Sequence, residues 1–236
     1  IHPDQIRHHR LRAHHLDQKA PPEALLAAAG ACGLQNSPPG AWETALFNRL
    51  QGCTLPLLHR ALYEDKALLQ AWSYRGAPVV FPADQSGAFL DALAAQAGEE
   101  PWIYTQGIAL ALDALRLPFD DLLALVKAAA KCLDARTIRS KEALDKALAE
   151  EVEAELPAEK RALWRGPSMY GNPEKQSVGE AAVSFLLRPC ALLSLVVFGR
   201  REGSSPTFTS FQRWMGRAPE AMPDADRALA RKFLHC

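Results

Sequence analysis

The sequence predicts a mainly α-helical protein built as tandem winged-helix units with small β-hairpins for wings. Three observations carry that prediction. Short helical patterns bounded by Pro, Gly and Ser/Thr/Asp dominate the chain. Two pairs of apolar runs flank turn residues, Arg75-Gly76 in one case and Arg200 to Ser205 in the other. Each pair follows a set of helices, so the order helices-then-hairpin occurs twice.

In chain order, Pro3 and Asp4 open a first helix, with Ile6, Leu11 and Leu16 on a rough helical period. Pro21-Pro22-Glu23 opens a second, ended by Gly30 or Gly33. Residues 33–40 hold two prolines and two glycines, which forbid a helix and predict a turn or short extended piece. A short helix carrying Trp42, Leu46 and Leu50 follows, and Thr54 caps the next, with Leu55, Leu58 and Leu62 on one face. Residues 68–74 and 77–81 form the first hairpin, with Gly76 supplying the positive φ of its turn. Asp84 caps a helix through Leu93, which Gly98 to Pro101 ends.

The second cycle begins with a helix from Asp120 to Cys132 and a connector over 134–139. Ser140 opens an amphipathic helix to Glu153 whose Glu-rich end is expected in solvent. Residues 156–176 read as a loop-rich insertion around Trp164, and Val178 to Leu187 as a helix stopped near Pro189. Residues 192–198 and 207–209 form the second hairpin, and Asp224 to His235 a last helix. The expected domains are 1–98, 99–216 with the insertion, and 217–236 as the start of a further, apparently truncated helical unit. Trp72, Trp102, Trp164 and Trp214 read as core or interface aromatics.

Composition bounds the function. At 48% hydrophobic and 23% charged, the 236 residues can bury a core. Lys+Arg and Asp+Glu both number 27, so a uniformly basic nucleic-acid binder is excluded, and any such role needs local clustering. From Arg188 onward eight Lys/Arg face four Asp/Glu, a positive C-terminal end. Five cysteines, an odd number without a CxxC pair, favour reduced, mostly buried thiols in a cytoplasmic protein over disulfides or zinc. The longest apolar run, Cys190 to Phe198, is too short to span a bilayer, and no leader is evident. A first residue other than Met and a helical pattern that stops at Cys236 lead us to expect missing residues at both ends.

Several segments carry a resemblance: Gly33-Leu-Gln-Asn-Ser, Ala41 to Leu50, Ala71-Trp-Ser-Tyr-Arg-Gly to Pro82, Phe185 to Leu193, and Phe208 to Trp214. In order and spacing the chain resembles the bacterial winged-helix DNA glycosylases of azinomycin self-resistance and interstrand-crosslink unhooking. The resemblance implies a third winged helix and a small β-rich domain beyond this chain. It implies a catalytic motif, Gln-x-Gln or Gln-x-Asp, that falls on Gln35-Asn36-Ser37. Gln35 matches; Ser37 departs. The family's hairpin pattern, Arg-Gly-Thr-x-His, is kept at Arg75 and Gly76 and lost at Ala77 and Val79.

An amide has no useful pKa near neutrality and cannot be an ordinary general base. A purine alkylated on a ring nitrogen, however, is cationic and leaves without protonation. What remains is to position a water and stabilise an oxocarbenium-like sugar, which side-chain carbonyl oxygens can do. Gln35 is therefore the candidate catalytic residue, with Ser37 offering a hydroxyl on a shorter arm. The plainer reading is that Gln35 and Asn36 satisfy backbone groups in a Pro-rich turn. Candidate DNA-binding residues are Arg10 and Arg12 on the first helix, Arg75 at the first hairpin tip, and Arg200 and Arg201 at the second. His8 with His15, or His9 with His14, lack the spacing of a metal pair, so neither metal nor cofactor is expected. The expected function is binding of double-stranded DNA in the cytoplasm, without a membrane, and base release in repair of alkylation damage. Two alternatives stand: a non-catalytic winged-helix regulator, and a winged-helix protein-interaction scaffold.

Overall fold

The computed structural model describes residues 2–96, 99, 108–170 and 173–235. The expected helix end at Gly98 to Pro101 and the placement of Trp102 lie outside the described residues. The chain divides into two compact units: Ile1–Leu93 with Pro219–Cys236, and Ala94–Ala218.

The first unit starts with α1 (Pro3–Ala13), which Pro3 and Asp4 favour as first-turn residues. His2 and Gln5 close a reciprocal cap at its N-terminus. α1 buries only Ala13; Ile6, Leu11 and Leu16 are exposed. Then come α2 (Leu25–Gly30), β1 (Leu34–Gln35), α3 (Ala41–Arg49) and α4 (Leu55–His59). The Thr54 hydroxyl caps α4 by accepting from Leu57 N. A π-helical turn over Arg60–Glu64 prolongs α4. β2 (Leu68–Trp72) and β3 (Pro78–Pro82) form the expected hairpin, and β1 pairs with the far edge of β3, giving the antiparallel order β1-β3-β2. Leu34 and Val80, opposite each other, face a core of Leu25, Trp42, Leu46, Leu58 and Leu68. Burying each such side chain contributes about 1.5–3 kcal/mol.

The other face of this sheet is also covered. Phe81 stacks on Phe89 of α5 (Ser86–Phe89), ring centroids 4.7 Å apart. The helix expected from Asp84 to Leu93 is broken instead: 3-10 turns over Ala83–Gln85 and Asp91–Leu93 flank α5, and Pro82 precedes the first turn where Asp84 was expected to cap. The last helix of the chain, α12 (Ala225–His235), packs on α5. Its Lys232 Nζ donates to Gly30 O at 2.6 Å and Gln85 Oε1 at 2.7 Å, and Met222 fills the space beside Gly87. In this chain, then, the segment expected to begin a further unit joins the first.

The second unit has α6 (Ala109–Leu115), α7 (Phe119–Ala130), β4 (Ile138–Arg139), α8 (Lys141–Glu155), α9 (Ala158–Trp164), α10 (Val178–Leu192), β5 (Val197–Phe198), β6 (Thr207–Thr209) and α11 (Phe211–Met215). Its strand order is β4-β6-β5, antiparallel. Helix, edge strand, helices and hairpin thus recur with the topology of the first unit. Leu122, Val126, Leu148, Val152, Val183 and Leu186 fill its core from α7, α8 and α10.

Three details depart from expectation. Within the insertion expected to be loop-rich, Ala158–Trp164 forms helix α9. The connector over 134–139 ends in strand β4. The α10 helix does not stop near Pro189 but runs through it to Leu192. Proline removes one intrahelical donor. Here Pro189, Cys190, Ala191 and Leu192 are all buried, so packing holds the last turn in place of that bond. A reciprocal cap between Ser177 and Glu180 sets the helix start. Within the insertion, Trp164 lies against Gly179 and donates its indole N–H to Ala149 O at 2.9 Å.

Candidate functional site

β1 is too short to be more than an edge, and that shortness matters. Its register sets Leu34 opposite Val80 and Gln35 opposite Val79. Residues directly opposite in an antiparallel pair project to the same face. Leu34 therefore enters the core and Gln35 the other face, where it is exposed. Asn36 N continues the ladder to Pro78 O at 2.8 Å.

The turn residues divide the work. Asn36 is 6% exposed, and its Oδ1 accepts from Gly40 N at 2.7 Å, closing the Pro-rich turn. Gln35 takes no part: its side chain forms no hydrogen bond among the described residues. Ser37 is exposed two residues further on. Across the ladder Val79 is fully buried and offers no hydrogen bond. Gly33, at φ +69, must stay bare, because a Cβ there would come within 2.7 Å of Val79 and 3.0 Å of Phe89 and the Tyr74 hydroxyl. That hydroxyl donates to Cys32 O, fixing the hairpin base beside β1. Arg75 (φ 61) and Gly76 (φ 65) form the hairpin turn, with Arg75 exposed at the tip. Because β1 runs alongside β3 toward Pro78, Gln35, Ser37 and Arg75 belong to the same end of one sheet.

The second unit's hairpin turns at Gly203 (φ 63), with Glu202 and Ser205 exchanging backbone bonds of 3.0 and 3.1 Å. Arg200 is exposed and Arg201 half-exposed on the ascending side. The Arg200 carbonyl accepts from Thr207 Oγ1 at 2.8 Å, which braces the wing. β4 adds a residue that the sequence reading missed: Arg139, opposite Thr207 and 3.7 Å from the Glu202 carboxylate. The signal, Ile138-Arg139, is one apolar–polar alternation, too short to mark a strand. Unlike the hairpin, α10 has no exposed residue anywhere along its length.

Arg10 and Arg12 are exposed on α1; Arg12 lies 3.9 Å from Asp17. The most perturbed carboxyl is elsewhere. Asp145 of α8 is buried, and that burial pushes it up to about 6 against the opposing pull of Lys141, 2.7 Å away. Lys141, also held down by burial, donates to Ser184 of α10 as well. This group ties two core helices and reaches no cleft described here. Cys190 is buried, with its thiol pushed up to about 12, and the other described cysteines are half-buried. Trp72 and Trp164 are buried and Trp214 is half-buried. Among the described residues no grouping of three or more His, Cys, Asp or Glu could hold a metal, and no helix is long and apolar enough to cross a membrane.

Comparison with known proteins fits this geometry. A family model described as DNA glycosylase AlkZ-like matches residues 28–236. No curated protein matches significantly. Among solved structures, the Streptomyces sahachiroi DNA glycosylase AlkZ is similar with a TM-score of 0.65 and 18% identity. The alignment covers 96% of this chain and 54% of that one, so the chain spans about half the length of that relative. At this identity the likeness speaks for the fold.

Proposed function

The chain belongs to the AlkZ-like DNA glycosylase family, and from that premise we propose that it binds duplex DNA through winged-helix units and releases cationic alkylated purines. One observation carries the reading: Gln35 stands exposed at an open sheet end with its amide uncommitted, while neighbouring Asn36 does the structural work of the turn. In the proposed step the N-glycosidic bond breaks and its electron pair neutralises the purine cation. A water held by the Gln35 carbonyl oxygen forms the new bond to the sugar carbon. Its surplus proton passes to bulk solvent. Gln35 orients that water and stabilises the positive sugar without itself becoming charged. Ser37 can donate or accept on a shorter arm. An open sheet end suits an adduct too large to be turned into a closed pocket.

Phosphate contacts come from the hairpin tips, Arg75 on one unit and Arg200 and Arg201 with Arg139 on the other. On this reading the protein works in repair of alkylated DNA, in the compartment that holds the bacterial chromosome.

Single-turnover release of an N7- or N3-alkylated purine from duplex DNA tests the step. Gln35→Ala is expected to lower the rate about 100-fold while leaving DNA affinity unchanged, since its role is confined to the transition state. Ser37→Gln is expected to raise it by restoring a second carbonyl. If wild type and Ser37→Gln both release nothing, a non-catalytic DNA binder is the better reading, and the exposed, uncommitted Ser37 is the observation that favours it. Failure to bind duplex at low salt points instead to a protein-interaction scaffold.

A further inference from the structure

In the first unit the end of α12 comes close to α1, with the His9 and His235 rings 5.9 Å apart and edge to face. A surface cleft opens there, lined by Asp4, Gln5, His8, His9 and Arg12 of α1 and by His235 of α12. Each helix carries a cationic excess. α1 has Arg7, Arg10 and Arg12 against Asp4; α12 has Arg227, Arg231 and Lys232 against Asp226. In a chain of zero net charge, the remainder is correspondingly acidic. Six of the seven histidines also lie here: His2, His8, His9, His14 and His15 in or next to α1, and His235 at the end of α12.

The one acid in the cleft is already neutralised. Asp4 pairs with Arg7 at 2.9 Å and with His2 at 3.3 Å. Arg12 has a loose partner in Asp17 at 3.9 Å, and Arg231 makes no ion pair or hydrogen bond among the described residues. His14 lies on the neighbouring side of α1, held below the usual imidazole value by its burial, then by Arg49 and His15. What faces the cleft is thus three imidazoles, His8, His9 and His235, beside the Arg12 guanidinium, on an open surface with no enclosed volume to hold a compact anion. The chemistry that fits is a phosphodiester backbone. The groups that set the cleft's potential are Asp4, His8, His9 and Arg12 from α1, with Arg7 and His2 behind Asp4, and His235 from α12.

We propose that the α1–α12 cleft binds the phosphate backbone of duplex DNA, with His8, His9, Arg12 and His235 as its contacts. This rests on the DNA-binding reading above and adds a site apart from the hairpin tips. Backbone contacts position a protein without reading sequence. The cleft would therefore anchor the first unit while Gln35 acts.

The test uses the full chain and a lesion-free duplex, followed by fluorescence anisotropy across salt concentrations. The variant His8→Ala/His9→Ala/His235→Ala is expected to bind several-fold more weakly than wild type. Arg12→Glu alone should weaken binding and make the dependence of log affinity on log salt shallower by about one, the share of a single phosphate contact. These are surface positions, and an unchanged circular dichroism melt confirms folding. If wild type binds in a salt-dependent way and both variants match it, the cleft is overturned while DNA binding stands. Absence of wild-type binding at any salt overturns both.

Discussion

The two units share one topology and differ in how far the helix before the hairpin is covered. In the first, the edge strand ends in Gln35, which is exposed, and the helices before the hairpin keep exposed residues, Arg60 and Glu64 among them. In the second, the edge strand ends in Arg139, also exposed, and the helix leading into the hairpin, α10, has no exposed residue. The cover comes in part from the insertion, whose Trp164 lies against Gly179. On the proposed reading the second unit meets DNA through its hairpin and edge strand, whereas the first keeps an amide at its open sheet end. Units of equal topology thus present different side chains at equivalent positions.

That contrast can be broken by experiment. The largest effect should come from Trp164→Ala, which removes a fully buried indole and its bond to Ala149 O. A loss of about 3–5 kcal/mol in urea unfolding is expected. A loss under 1 kcal/mol would mean that the insertion does not hold α10 and that the two units differ less than described. Next is Asp145→Asn, which replaces the buried carboxyl facing Lys141 with a neutral isostere, so that its effect on stability varies with pH. Its pH dependence has a definite sign. Asp145 keeps its proton up to about 6 in the fold, above the 3.8 of a free carboxyl. Its contribution therefore favours the folded state at acid pH and is lost as pH rises through that window. The stability of wild type relative to Asp145→Asn should fall between pH 4 and pH 6, and a rise there would show that the ion pair with Lys141 outweighs burial. The smallest effect is at the edge strand. Arg139→Ala should weaken duplex binding a few-fold and lower the salt slope by about one, as Arg200→Ala should. An unchanged slope for Arg139→Ala alone would return the second interface to the hairpin by itself.

Much of this was readable from the residues, and the exceptions have physical causes. Both hairpins follow from paired apolar runs around turns that need positive φ, and Gly76 and Gly203 take it. Thr54 and Ser140 cap the helices that they precede. Pro189 misled because its local cost is overridden by burial of the whole last turn. β4 escaped because two residues carry no period. The turn at 33–40 could be read as a turn, but the split of roles between Gln35 and Asn36 depends on which of them the ladder points inward, and register is a tertiary fact. The meeting of α1 with α12 was illegible for the same reason: nothing local links His9 to His235.

The seat of α12 has a consequence for how the chain comes to its folded state. Synthesis runs from the N-terminus, and the first unit has its sheet and both helical layers by Leu93. Yet the surface around Gly87 and Phe89 is covered by Met222 and Lys232, which emerge after the entire second unit has been made. Until those residues are made, nothing of Met222 or Lys232 covers that flank of the first unit, and its final packing requires closure of a long loop, a slow kind of contact to form.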